Sequence, residues 1–400
     1  MQKPTLFGYG LTTKAIAKKL GGGCTFFDDN CKETYTDEAS NIIRPSSEFN
    51  PNESHLEVTT PSLPPKHPLI QKANNLLSEY DYFAQEMPFS IWISGTNGKT
   101  TTTQMLTYLL GKRGAISGGN IGTPLAELDT NASIWVLESS SFTLHHTQVA
   151  SPSIYLLLPI TPDHLDWHGT SENYSADKLR PLLHMKEGEL ALVPKGLNLP
   201  QTHAYVVEYD SDAFLCEYFN LDASKLNYKG AFLQDALLAL AISKVLFDET
   251  NYDLLNTFKR DAHRQEEFHD AKGYLWVNDS KATNLDATIQ AIKGYADIPL
   301  HLIIGGDDKG VDLTPLFEVI QKTDITLYTI GENTQKLLSL SQKYHINAIE
   351  SNNIHTAVKQ ISLVLNNKSV ALLSPAAASF DQFKSYKDRG EVFMDLVKNL

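Results

Sequence analysis

The chain has 400 residues, more than one compact core usually takes, so two or three domains are expected. Hydrophobic residues make up 42%, charged residues 20% and aromatics 10%, which excludes a mainly disordered or fibrous chain. Thirty-four basic against 47 acidic residues leave a net charge of −13, a balance that is repelled by a phosphate backbone and argues against nucleic acid as a partner.

The opening, TLFGYG followed by TKAIAKKL and CTFFDD, predicts a strand, a helix and a second strand, the start of a Rossmann-like unit. Only Gly8 and Gly10 of a G-x-G-x-x-G fingerprint are present, with Thr13 at the third position. Residues 59–68, TTPSLPPKHP, hold four prolines and predict a loop or linker, which places a first boundary near 78. From residue 89 the runs FSIWIS, SIWVLES, SIYLLL and ELALVP read as buried parallel strands with helices between them, as far as a boundary near 260. YLWVND, LHLIIGGD, ITLYTI and SVALLSP repeat the pattern over 261–400. The expected architecture is therefore α/β in three domains, 1–78, 79–260 and 261–400, with the central one built on a phosphate loop. Cys24, Cys31 and Cys216 form no C-x-x-C pair and read as reduced thiols. The first 20 residues lack a signal-peptide core, and the apolar stretch 231–247 is broken by Gln234, Asp235, Ser243 and Lys244. A cytoplasmic protein without a membrane span is expected.

The sharpest local signal is ISGTNGKTTTTQM, residues 93–105, where an apolar strand runs into Gly95, Thr96, Asn97, Gly98, Lys99, Thr100 and Thr101 and then a helix. Glycines let the backbone wrap an anion, helix N–H groups add positive potential, and Lys99 adds a point charge. Thr100 stands where a P-loop hydroxyl ligates magnesium, although Ile93 occupies the first Walker glycine position. Glu138, at the end of SIWVLE, is a candidate second magnesium ligand. His164, between Asp163 and Asp166, is a candidate for metal ligation or ligand contact. Lys178 follows on a polar helical stretch, and its pattern alone reads as a solvated lysine. In the last third, polar residues gather after strands: Asp279, Lys281 and Thr283; Asp307, Asp308 and Lys309; Ser374, Ser379, Phe380 and Tyr386. Strand ends are where open α/β sheets bind ligands.

Taken together, GTNGKTT, ESSSF, TPDHLDWHG, ADKLR, AHRQEEF, NDSKATN, GGDDKG and LLSPAAASFDQF resemble the Mur ligases, in order from about residue 91 to 393. NDSKATN and SPAAASFDQFKSYKDRG point within that family to the D-glutamate-adding branch. The resemblance implies an ATP-dependent amide ligation through an acyl phosphate, with ATP, D-glutamate and UDP-N-acetylmuramoyl-L-alanine as substrates, two magnesium ions and a monomer. It implies that Lys99, His164 and Lys178 are catalytic, and that Gly95 to Thr101, Arg264 and Asp279 serve ATP. Thr100, Glu138, His164 and a carbamylated Lys178 would hold metal, which reverses the solvated reading of that lysine. Leu11, Thr12, Asn120 and His164 would contact the uridine-linked substrate. Lys281, Thr283, Lys309, Ser379 and Tyr386 would receive D-glutamate, Tyr386 standing where the family usually has Phe. The N-terminal unit departs from the family: Asp29 and Asn30 replace a Thr-Arg pair, and TTPSLPP replaces a Ser-Pro-Gly turn. Two other readings remain at this point, a sister ligase such as the L-alanine-adding enzyme or folylpolyglutamate synthase, and a non-enzymatic nucleotide-binding regulator.

Overall fold

The computed structural model of the protein describes residues 3–400. Among these residues the strands form three six-stranded sheets, each dominated by parallel pairing, with helices between the strands. The chain makes two compact units. One holds the residues up to Asn227 with Asp235–Thr257, and the other holds Tyr228–Gln234 with Phe258–Leu400. The first unit contains two of the sheets and the second unit the third.

The first sheet comprises β1 (Thr5–Phe7), β2 (Thr25–Asp28), β3 (Tyr35–Thr36), β4 (Ile42–Pro45), β5 (Glu57–Thr59) and β6 (Leu76–Leu77), in the spatial order β3-β4-β2-β1-β5-β6. Only the β3–β4 pair is antiparallel. The predicted β1, helix and β2 are present, the helix running Leu11–Lys19. The proline-rich stretch is not a linker between sheets. Thr59 ends β5, and the chain returns through the helix Pro68–Lys72 to add β6 beside β5. Proline there only stops β5 and starts the next helix, where its missing N–H costs nothing.

The second sheet comprises β7 (Phe89–Ser94), β8 (Ala115–Gly119), β9 (Ile134–Glu138), β10 (Ile154–Leu157), β11 (Leu190–Pro194) and β12 (Tyr205–Tyr209), all parallel, in the order β12-β11-β10-β7-β9-β8. Its central strands are continuous apolar runs because helices cover both faces, and Trp92, Trp135 and Tyr155 are fully buried there. After β7 the chain adds strands first on one side and then on the other. The loop leaving β7 therefore stands at the point where strand order reverses, the ligand-binding position of open α/β sheets.

In the third sheet β13 (Glu266–His269) pairs antiparallel with β14 (Leu275–Asn278). β15 (Leu300–Ile304), β16 (Ile325–Ile330), β17 (Asn347–Asn352) and β18 (Val370–Leu373) complete the order β13-β14-β18-β15-β16-β17. β18 lies between β14 and β15, so the three polar clusters noted in the sequence leave from the carboxyl ends of three adjacent strands.

The segment Ser78–Tyr82 ties the first sheet to the second. Glu79 accepts from the Leu125 N–H at 2.8 Å, and burial pushes its carboxyl up to about 7 against the pull of the Ala126 and Leu125 amides. The Tyr80 hydroxyl donates to the Glu138 carbonyl at 3.3 Å and meets Ser139 Oγ at 3.1 Å. Asp81 accepts three backbone N–H bonds, from Gln148, Val149 and Ala150, at 2.8, 2.9 and 2.8 Å. His146 Nε2 donates to the Leu63 carbonyl at 3.0 Å, and burial pushes this imidazole down to about 4. Asp81→Ala strands three amides at once and is expected to cost about 2 kcal/mol. Chemical denaturation should show the loss, with Asp81→Asn, which keeps one acceptor oxygen, in between.

Candidate active site

The loop after β7 is shaped by two glycines. Gly95 takes φ 138°, and a Cβ there would stand 2.5 Å from Leu158 Cβ; Gly98 takes φ 83° at the N-cap of the helix Lys99–Leu110, and a Cβ there would stand 2.6 Å from Asp235 Oδ1. No other residue fits these positions without strain. Thr96 pins the loop. Its N–H donates to the Pro159 carbonyl at 3.1 Å, and its hydroxyl donates to the Thr161 carbonyl at 2.9 Å and lies 3.1 Å from the Tyr174 hydroxyl. Thr102 Oγ1 donates to Asp235 Oδ1 at 3.1 Å and anchors the helix from below. Asn97 joins the two glycines, Thr100 is half-buried in the first helical turn, and Thr101 behind it is buried. The result is a backbone cradle at a helix N-terminus, suited to a phosphate chain.

Lys99 curls over this cradle and donates from Nζ to the carbonyls of Gly95, at 2.9 Å, and Thr96, at 2.7 Å. Lys178 reaches the same Gly95 oxygen at 2.8 Å and lies 3.5 Å from Ser94 Oγ. It is 1% exposed, so the solvated reading of its sequence context is overturned. The helix Ser171–Leu179 turns its Tyr174 and Lys178 inward, with the Lys178 Nζ 4.7 Å from the Tyr174 ring centroid. Burial, and then the Lys99 ammonium, drive the Lys178 amine well below its ordinary pKa.

Glu138 ends β9 opposite Ile93 of β7, so its carboxylate reaches the start of the loop. It is 3% exposed; Oε1 accepts from Asn120 Nδ2 at 2.7 Å, while Oε2 is buried without a partner. A buried carboxylate oxygen without a partner is costly unless a ligand or cation meets it. Hard carboxylate and hydroxyl oxygens suit magnesium, so Glu138 and Thr100 fit the ion expected there. His164 takes φ 51° at the N-cap of the helix Leu165–His168, half-exposed, with its ring 4.8 Å from that of Phe142. Its packed face loses hydration, and Lys178 and Lys99 repel a proton against the pull of Asp163, so its pKa falls below the ordinary histidine value. A neutral imidazole is the form that ligates metal.

In the first sheet a cavity of about 260 Å³ opens where β1, β2 and β5 end, lined among others by Gly8, Tyr9, Asp28, Asp29, Asn30 and Ser62. Leu11 and Thr12 open the helix just beyond Gly10 and are not among its lining residues. Asp28 is spent on backbone: Oδ2 accepts from the Tyr9 N–H at 2.7 Å and Oδ1 from the Asn30 N–H at 2.8 Å. Hydrogen bonds from Ser46 and then His67 hold Asp29 below the usual carboxylate range, against its partial burial.

The second unit gathers the remaining predicted residues at the ends of β14, β15 and β18. Asp279 is buried, accepting from Ser374 Oγ at 2.8 Å and the Gln265 N–H at 3.2 Å, with Arg264 half-buried nearby in sequence. Lys281 lays Nζ 4.2 Å from the Tyr386 ring centroid. Thr283 and Lys309 are exposed, Lys309 at φ 51°, whereas Ser379 is buried and Phe380 beside it is 72% exposed. Arg389, which the sequence did not single out, is 1% exposed. Its Nε and Nη2 donate to Ser280 Oγ and the Ser280 carbonyl at 2.9 Å each, and its Nη1 and Nη2 to the Ala377 carbonyl at 3.2 Å. It thereby laces the loop after β14 to the loop after β18. Also unforeseen is Asp177, buried beside Lys178 and hydrogen-bonded to His145 and His168.

Burial raises the Asp279 carboxyl to about 7, against hydrogen bonds from Ser374 and Gln265 that favour its ionised form. A folded pKa above the unfolded one means stability is full at low pH and falls as pH rises toward about 7. Asp279→Asn removes that dependence, so its melting temperature relative to the unaltered protein should climb between about pH 5 and 8. An offset that stays flat in calorimetry across this range would contradict the assignment.

The family description Mur ligase middle domain matches residues 93–214, the span from the end of β7 past β12. The chain is 50% identical over 401 residues to a UDP-N-acetylmuramoylalanine--D-glutamate ligase of Campylobacter jejuni, covering 100% of both chains. A ligase of the same name from Helicobacter pylori is 44% identical over 418 residues, with 99% of each chain covered. Among solved structures, the MurF ligase of Thermotoga maritima in complex with ADP aligns over 100% of this chain and 99% of its own, with a TM-score of 0.61 at 15% identity, a likeness of fold. No helix among the described residues is long and apolar enough to cross a membrane. Identity of this extent along the whole length settles the matter of descent: the chain belongs to the Mur ligase family.

Proposed function

We propose that the protein joins D-glutamate to the L-alanine carboxylate of UDP-N-acetylmuramoyl-L-alanine at the expense of ATP, releasing ADP and phosphate. The single observation that carries this is the full-length identity to ligases of that name, on a chain whose phosphate cradle meets a carboxylate with an unpartnered oxygen. Three functional spans, 1–78, 79–260 and 261–400, divide the work. A cytoplasmic location goes with this reading.

The reaction needs a carboxylate oxygen turned into a leaving group. Transfer of the γ-phosphoryl of ATP to that oxygen forms an acyl phosphate and ADP. The D-glutamate nitrogen then attacks the carbonyl carbon, loses a proton, and the tetrahedral intermediate expels inorganic phosphate as the amide forms. The loop Gly95–Thr101 binds the phosphates through backbone N–H groups, and Lys99 shifts from the Gly95 and Thr96 carbonyls onto the transferring group. Thr100, Glu138 and His164 would hold magnesium, in two sites with a carbamylated Lys178. The bound ions would screen phosphate charge and polarise the phosphoryl oxygens. Asn120 orients Glu138 and faces the acid substrate. Arg264 and Asp279 serve the nucleotide. Lys281, Thr283, Lys309, Ser379 and Tyr386 receive the two carboxylates of D-glutamate, where Lys281 brings charge and the hydroxyls bring direction. The cavity at β1, β2 and β5 takes the uridine end. It is lined by carboxylates and no Lys or Arg, which favours the neutral nucleoside over the diphosphate. Leu11 and Thr12, at the adjacent helix start, would contact the uracil side of the same substrate.

Carbamylation of Lys178 means attack of its neutral amine on carbon dioxide with loss of a proton. Its burial favours the neutral amine over the ammonium, and the product sets an anion beside Lys99. Phosphate release from the purified protein with ATP and UDP-N-acetylmuramoyl-L-alanine should require D-glutamate. Release driven instead by L-alanine or L-glutamate, or by no amine at all, would overturn the substrate assignment. Lys178→Ala should lose at least about 100-fold in kcat and regain part of it with added acetate or formate, small carboxylates that replace the missing anion. A fully active Ala variant would remove the carbamate from the reaction.

A further inference from the structure

Asp177 has no place in the chemistry above, yet it is a buried and heavily engaged carboxylate next to Lys178. Its side chain is 6% exposed and receives three partners. His145 Nδ1 donates to both of its oxygens at 2.9 Å, His168 Nδ1 to Oδ2 at 2.8 Å, and Arg180 Nη2 to Oδ1 at 3.3 Å. His168 Nε2 in turn accepts from Ser141 Oγ at 3.0 Å.

These contacts close a ring. His145 and Ser141 belong to the helix Ser141–His146, which begins three residues after Glu138. His168 ends the short helix whose N-cap is His164. Asp177 itself precedes Lys178 on the helix Ser171–Leu179. Asp177 forms no ion pair with Lys178, whose Nζ is directed to the Gly95 carbonyl and Ser94 Oγ. A buried carboxylate clamped by imidazoles gains little net stability over an apolar replacement, since desolvation consumes most of its Coulomb energy. What a fully satisfied polar network supplies is one fixed arrangement. Ligand positions around a cation must be held to within about 0.5 Å, and side chains beyond the ligands do the holding.

We infer that Asp177 is a positioning residue for the cation site, fastening together the three chain segments that carry Glu138, His164 and Lys178. This inference rests on the ligase reading, in which those residues serve the metal.

The test uses the full chain with ADP and manganese as the probe, the unbound ion being followed by electron paramagnetic resonance. The unaltered protein should bind manganese, and Asp177→Ala should weaken that binding about tenfold. In turnover with magnesium, kcat of Asp177→Ala should fall by about the same factor while KM for D-glutamate moves less than about twofold. Asp177→Asn, which keeps the shape and one acceptor oxygen, should recover part of both. Where the alanine variant does not fold, the asparagine variant, checked by its melting transition, decides alone. A folded variant with unaltered manganese affinity overturns the inference, as does a loss confined to KM for D-glutamate. If the unaltered protein takes up no manganese with ADP, the metal reading itself fails, a separate result.

Discussion

Two lysine side chains converge on one carbonyl oxygen, that of Gly95, and the electrostatics of the first unit's loop follow from this crowding. Lys99 approaches from the helix that the loop opens, and Lys178 from a helix some 80 residues later. Like charges that share an acceptor in a poorly hydrated place repel strongly. The arrangement is eased in two ways, by an anion drawn to Lys99 or by loss of the proton on Lys178. On the proposed reading the anion would be a phosphate, and loss of the proton would ready the amine for carbon dioxide. On that reading, the same electrostatic tension would serve both lysines.

Parallel β-structure supplies the convergence. Register places Glu138 opposite Ile93 and Leu157 opposite Ser94, so the ends of β9 and β10 lie level with the start of the loop. Residues far apart in sequence need no long side chains to meet there; the strand order delivers them. The second unit applies the same device with β14, β18 and β15, whose ends deliver Asp279, Ser374 and Gly305.

Strand-to-loop transitions were the legible part of the sequence. An apolar run that stops at glycine, lysine and hydroxyl residues has few physical meanings, and β7, β9, β14, β15 and β18 all stand where such runs were read. The strands that escaped are edge or short ones. β12 alternates exposed and buried residues as YVVEY, β17 is the polar NAIESN, and β8 ends in two glycines. Lys178 escaped for another reason. SENYSADKL carries a polar residue on nearly every turn, and periodicity cannot tell a helix that hides polar groups in a site from one that shows them to water. Only the family likeness pointed inward, and the buried position agrees with it. Asp177 had no signal, because its partners, His145 at a distance in sequence and His168 nearer by, were unremarkable singly.

The anchoring of Ser78–Tyr82 bears on how far this enzyme is modular. Glu79, Tyr80 and Asp81 belong to the connection between the first two sheets, yet their side chains bond to Leu125, Ser139 and Gln148–Ala150 around the second, and His146 returns the tie to Leu63. A chimera that exchanged the first 78 residues with those of another ligase would keep these anchors but would present a foreign loop to His146. Recombination at this seam is therefore constrained by the carbonyl that His146 must find, by the Ser78 hydroxyl that Thr147 meets, by the Lys18–Glu127 pair and by the apolar packing that runs across it.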